Sequence, residues 1–255
     1  MDDLLSDPSY DPWAFLRRAT PARLALGRTG DGLPTARVLE FALAHARARD
    51  AVHIALDVPP LSAALADLAP ILVVSCAETR TVYLQRPDLG RKLAAESRAA
   101  LKLKYGAHDA VIVLADGLSA TAIQQQGSEL CRRLQQDPDW HFAPPVIACQ
   151  ARVALGDEIA TALGAGLVIV LIGERPGLSA TDSLGAYITF APRPGETTDA
   201  ERNCVSNIRP GGLALPEAAR RINAIMTLAR SQQRTGTELK EDAALALPAP
   251  RETKA

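Results

Sequence analysis

The chain is predicted to be an α/β protein: a small, mainly helical amino-terminal domain over residues 1–96, then a Rossmann-like parallel-sheet domain over 97–234. The run LVIVLIG at 167–173 is unbroken in its apolarity and too short to cross a bilayer, so it reads as a central strand covered on both faces. Two similar runs precede it, AVIVLA at 110–115 and VIAC at 146–149, with helix-forming stretches between the three. β-α-β-α-β is the order of a parallel sheet with right-handed crossovers.

In the first domain, Trp13, Phe15 and Leu16 predict a short helix that docks on the body. Residues 35–50 place Val38, Leu39, Ala42, Leu43 and Ala46 on one helical face and Arg37, Arg47 and Arg49 elsewhere, an amphipathic pattern entered at Pro34 or Thr35. ILVVSCA and TVYLQ flank Glu78, Thr79 and Arg80, which predicts a short β-hairpin over 71–84, although that turn lacks the usual Gly or Asn. Residues 88–105 turn helical, and Gly106 is placed to stop the helix.

In the second domain, 110–115 is a buried strand, and Ser119 caps a helix that runs to about Gln136. Residues 146–149 resume as strand, extending toward Val153 or Leu155, before Gly156 and Asp157 open a short helix. A final helix over 216–230 buries Ala218, Ile222, Ile225 and Ala229 and pairs Glu217 with Arg221 at its surface. The small, charged and Pro-containing residues of 235–255 predict a disordered tail.

Composition narrows the function. At 255 residues the chain can bury a sizeable core, and 28 basic against 29 acidic residues lack the cationic excess that nucleic acid or an anionic membrane surface demands. No stretch approaches the roughly 20 apolar residues of a membrane span, and MDDLLSDPSYD is acidic where a signal peptide is basic. A cytoplasmic protein is expected. Cys76, Cys131, Cys149 and Cys204 are scattered without a C-x-x-C, which predicts reduced thiols.

Ligands of open α/β sheets collect outside the carboxyl ends of the strands, so the segment after LVIVLIG is the place for a site. It offers Glu174, Arg175, Cys204, Asn207 and Arg209. Glu174 and Arg175 leave the strand on a stiff base before Pro176 and Gly177 turn the chain, as a ligand contact or as a local ion pair. Cys204 reads as a small buried hydrophobe rather than a reactive thiol, because it has no neighbouring histidine to lower its pKa. Asp116, at the end of a buried strand, is either a nucleophile or metal ligand, or an acceptor of N–H groups in a turn. GRTGDG at 27–32 lacks the Lys-Ser/Thr of a P-loop and reads as a plain loop, and His45 and His53 have no third ligand nearby. No Ser-His-Asp set, nucleophile elbow or metal-ligand spacing stands out, so the polar loops suit holding a large amide-rich ligand better than breaking a bond.

The words VLADGLSATAI, GERPGLSATDSLGAYITF and ERNCVSNIRPGGL, with RPDLGRKL upstream, resemble the small (light) subunit of ethanolamine ammonia-lyase over about residues 20–230. That resemblance implies adenosylcobalamin as cofactor, held between this chain and a large subunit, a TIM barrel that binds ethanolamine. It implies a radical deamination of ethanolamine to acetaldehyde and ammonia, with the radical supplied by the cofactor. The implied cobalamin contacts are Val153 in QARVALGDE, Glu174 in GERPG and Cys204 in ERNC, with Arg152 adjacent, and none of the four is given a chemical step. Residence free in the cytoplasm or inside a bacterial microcompartment goes with it. Two other readings stand beside this one: a stand-alone hydrolase or transferase using Asp116 and Glu174, and a non-catalytic assembly subunit.

Overall fold

The structure, a computed structural model, describes residues 13–20 and 22–239. Six strands make one mixed sheet: β1 (Ile71–Val74), β2 (His108–Ala115), β3 (Val146–Cys149), β4 (Ala165–Gly173), β5 (Leu184–Phe190) and β6 (Asn203–Ile208). Their spatial order is β1-β3-β2-β4-β5-β6. The first four run parallel; β5 returns antiparallel to β4, and β6 antiparallel to β5. The sheet is thus α/β as expected but not purely parallel. LGAYITF, to which the sequence reading gave no element, and NCVSNI, read as part of a polar loop, are its last two strands.

Among the described residues eight α-helices surround it: α1 (Ala14–Ala19), α2 (Thr35–His53), α3 (Val58–Ala64), α4 (Arg80–Gln85), α5 (Ala95–Lys102), α6 (Ala120–Gln135), α7 (Leu155–Leu163) and α8 (Leu215–Gln232). Alternate residues of the central strands feed two cores. Ile112, Leu114, Ile169 and Leu171 pack under α6 and α8, while Val111, Val113, Val168 and Val170 pack under α5 and α7. Each fully buried Val, Leu or Ile is worth roughly 1.5–3 kcal/mol, so these two faces dominate over exposed ion pairs worth about 0–1 kcal/mol, such as Glu217 with Arg221. Steps toward β1 and steps toward β6 pass over opposite faces, so all the parallel crossovers share one hand. α7 lies close on β4 because Gly156 has no side chain; a Cβ there would stand 2.5 Å from Val170 Cγ2.

Several sequence expectations are corrected. Residues 80–85 are helix, not the second arm of a hairpin, because the Thr79 hydroxyl accepts the Val82 N–H and caps α4. β1 joins β3 in the main sheet instead. The expected 88–105 helix is broken: residues 89–91 form a single 3₁₀ turn, Leu93 bridges to Ser75 and donates its N–H to Glu158, and only α5 is α-helical. β3 stops at Cys149, short of Val153. α1 does not dock by its aromatics, since Trp13 is 51% and Phe15 64% exposed. Residues 235–239, expected to begin the tail, pack instead: Thr235 Oγ1 bonds the Glu201 carbonyl at 2.7 Å, Gly236 N–H donates to Asn203 Oδ1 at 2.7 Å, and Leu239 is buried. Residues 240–255 and the acidic amino terminus lie outside the described residues.

A buried ion pair pins the antiparallel extension to the helical layer. Arg202, just ahead of β6, holds Asp157 of α7 through two bonds of 2.7 and 2.8 Å and also donates to Thr189 of β5 at 2.9 Å. Both charged side chains are almost wholly buried. Removing one partner leaves the other charged and dry. Asp157→Ala is therefore expected to cost about 3–5 kcal/mol in urea unfolding, while Asp157→Leu combined with Arg202→Met recovers most of it.

Candidate functional site

The carboxyl ends of β2, β3 and β4 meet where the connections reverse direction: β2 crosses one way to β3, and β3 crosses back past β2 to β4. The loops after β2 and β4 touch there: a Cβ on Gly117 would fall 2.3 Å from the Gly173 carbonyl oxygen, and one on Gly173 1.9 Å from the Ser119 carbonyl oxygen. Only glycine permits this approach. Above it opens a pocket of about 500 Å³, with Leu118, Val153 and Ile172 as apolar lining and Arg152, Glu174, Arg175 and Tyr187 as polar lining.

The wall formed by residues 150–153 is held by Asp116. That carboxylate, 1% exposed, accepts the Gln150 N–H at 2.8 Å and the Ala151 N–H at 2.9 Å. Arg80 Nη1 reaches it at 3.3 Å, and Arg80 Nε donates to the Val52 carbonyl in α2 at 2.8 Å. Burial pushes the Asp116 carboxyl up, and the two amides and the guanidinium oppose that shift. Both of its oxygens are engaged by N–H donors, so Asp116 acts as the acceptor and not as a nucleophile. Among the described residues no group of three or more His, Cys, Asp and Glu could hold a metal ion.

Of the expected contacts, the structure brings Arg152, Val153 and Glu174 to one pocket. Arg152 lies with its guanidinium 4.3 Å from the Tyr83 ring centroid, and its Nε is buried with no partner. Gln150, held at a left-handed φ of 55°, carries a second buried orphan, Oε1. Glu174 does not pair with Arg175; its Oε2 accepts the Ser183 hydroxyl and, at 3.2 Å, the Asn207 N–H. Its Oε1 has no hydrogen-bond partner among the described residues. Asn207 is likewise left-handed, with φ 57°. Cys204 does not line the pocket: it is exposed on β6, in register with Tyr187 of β5 and beside it on the same side of the sheet. The Gly27–Gly32 loop is a plain turn closed by Thr29 and Gly32, and His45 and His53 are exposed on α2.

Sequence reading missed Tyr83 and Tyr187. Tyr83 is fully buried, donates its hydroxyl to the Ala151 carbonyl at 3.1 Å and stacks between Arg80 and Arg152. Tyr187 stood inside a quoted word, and the alternation of its strand was the signal that could have found it.

A sheet of this kind with an open pocket at its carboxyl edge, apolar within and set with unsatisfied donors and acceptors, defines a small-molecule-binding α/β protein. Residues 10–240 match the family described as ethanolamine ammonia-lyase light chain (EutC), and the chain belongs to that family. It is 48% identical to the ethanolamine ammonia-lyase small subunit of Xanthomonas campestris pv. campestris, over 92% of this chain and 90% of that one. Its identity to the small subunit of a Pseudomonas fluorescens strain is 50%, covering 93% and 89%, and to that of Ralstonia nicotianae 47%, covering 96% and 94%.

Burial of Tyr187, with Cys204 and Glu174 beside it, raises its hydroxyl from the ordinary 10.0 to about 12. The unfolded chain then releases this proton first, so the folded state loses stability as pH rises from about 10 toward 12. Unfolding followed across that range should show the decline, and Tyr187→Phe should flatten this part of it.

Proposed function

We propose that this chain is the small subunit of an adenosylcobalamin-dependent ethanolamine ammonia-lyase and supplies one wall of the cobalamin site at the contact with the large subunit. The observation that carries the reading is the set of unsatisfied groups in and near the pocket: the buried Arg152 Nε and, among the described residues, the partnerless Oε1 of Glu174 on its lining, with the buried Gln150 Oε1 two residues along the chain from Arg152. A corrinoid is a broad apolar ring fringed with amides, each both donor and acceptor, and such a rim answers orphans of both signs. A pocket of about 500 Å³ is too small to enclose a whole corrinoid, so a second chain would complete the enclosure.

When bound, the cofactor supplies the radical chemistry that deaminates ethanolamine to acetaldehyde and ammonia. This chain's residues would hold and orient. Val153, Leu118 and Ile172 would pack on the ring, Glu174 would accept from an amide or hydroxyl, and Arg152 would donate. Asp116 and Arg80 would keep residues 150–153 at their place on the wall. Cys204 would act beside the pocket by fixing Tyr187. Ethanolamine would be bound mainly by the large subunit, a TIM barrel, in the cytoplasm or a microcompartment within it.

The test is to mix the chain with its large subunit and adenosylcobalamin and follow the corrin's visible spectrum through gel filtration. The spectrum is expected to co-elute with the complex, with retention weakened roughly tenfold or more by Glu174→Ala and less by Cys204→Ala. The chain alone should not deaminate ethanolamine. Unchanged retention by both variants would sink the site assignment, and turnover by the isolated chain would sink the shared-site reading.

A further inference from the structure

RPDLGRKL at 86–93 lies outside the strands that build the pocket, yet it touches the pocket at one residue. The Arg152 N–H donates to the Gly90 carbonyl at 2.8 Å, and a Cβ on Gly90 would stand 3.0 Å from both Arg152 Cγ and Tyr83 Cδ2. Any larger residue there would have to push one of the two aside. Glycine lets the turn at 89–91 lie directly against the Arg152 stem and the Tyr83 ring.

Tyr83 in turn carries the charged end of that side chain. The Arg152 guanidinium lies 4.3 Å from the ring centroid, and its Nη2 donates to the Tyr83 carbonyl at 3.3 Å. Tyr83 is itself fixed, since it is wholly buried in α4 and its hydroxyl donates to the Ala151 carbonyl at 3.1 Å. These contacts leave Nη1 and Nε of Arg152 without partners among the described residues. The contrast is Arg175, the other cation of the lining, whose exposed side chain has no hydrogen bond or ion pair among the described residues. Asp116 does not do this work, because it holds the backbone of residues 150 and 151 and not the side chain of 152. A long side chain loses much rotational freedom when it is fixed, and one fixed before a ligand arrives spares the ligand that loss.

We propose that Tyr83 and Gly90 are positioning residues that lock the Arg152 guanidinium ahead of binding, so that its unpartnered N–H groups meet an acceptor on the rim of the corrinoid. The proposal rests on the reading of this pocket as one wall of a cobalamin site. It gives the 86–93 segment a part in that site, and it makes arginine at 152 irreplaceable by lysine, whose ammonium has no planar face to lay on the ring.

The test is a set of double-mutant cycles, with adenosylcobalamin titrated into the full chain assembled with its large subunit and the corrin's visible spectrum as readout. Arg152→Ala and Arg152→Lys are each expected to weaken the coenzyme about tenfold. Tyr83→Leu and Gly90→Ala are each expected to cost about fivefold in the parent and less than twofold when Arg152 is already alanine. Gly90→Ala leaves the buried ring in place, so its cycle can be read even if Tyr83→Leu does not fold. Tyr83→Phe keeps the ring and leaves the Ala151 carbonyl unpaired, so the melting temperature should fall while affinity stays within twofold. Losses that are equal in both Arg152 backgrounds overturn the proposal, as does full affinity with Arg152→Lys or a fivefold loss with Tyr83→Phe. Parent subunits that assemble but hold no adenosylcobalamin overturn the cobalamin reading beneath it.

Discussion

The buried carboxylate of Asp116 decides where one wall of the pocket stands. Three separate parts of the chain converge on it: the end of β2 that carries it, the Gln150 and Ala151 amides that follow β3, and Arg80, which in turn holds the end of α2. A carboxylate so deep survives only because N–H donors and a guanidinium replace its water. The same bonds that make its burial tolerable fix the backbone that presents Arg152 and Val153. Stability and site geometry are here one set of interactions, and they cannot be tuned separately.

The other wall has a different origin. β4 ends at Gly173, and the chain doubles back through β5 and β6 in place of another helical crossover. The reversal brings Ser183 and Asn207 beside Glu174 and ties its carboxylate by one oxygen, leaving the other. It also sets Tyr187 against the pocket and Cys204 behind it. The Arg202–Asp157 pair then fastens this hairpin-like extension to α7, so both walls are referred to the same helical layer.

The legible parts of the fold were those in which local preference and tertiary packing agree. β2, β3, β4 and α6 declared themselves through apolar runs and an N-terminal boundary at Ser119, whose hydroxyl does not cap the helix as expected but donates to the Thr181 carbonyl, and α8 through its stripe of Ala218, Ile222, Ile225 and Ala229. β5 and β6 were passed over because the polar residues on their open side, Ser206 and Asn207 among them, look like loop when the buried partners Val205 and Ile208 are not known to face a core. Residues 80–85 read as strand from Thr81, Val82 and Tyr83, yet the missing turn residue before them was the warning, and Thr79 was the cap. Periodicity correctly found α2 as a helix, but what each of its faces meets is a question spacing cannot decide. Arg152, Val153 and Glu174 share a pocket as quoted words suggested, whereas Asp116, Arg80 and Tyr83 are joined only by folding.

Gln150, just after β3, and Asn207, in β6, both adopt a backbone conformation that side chains other than glycine's enter at a cost of about 1 kcal/mol or more. Glycine at either place would relax the chain and erase an amide. These two residues thus set thermal robustness against the polar groups they supply, and a lineage living in heat would face a choice at positions 150 and 207 that one living at moderate temperature never has to make.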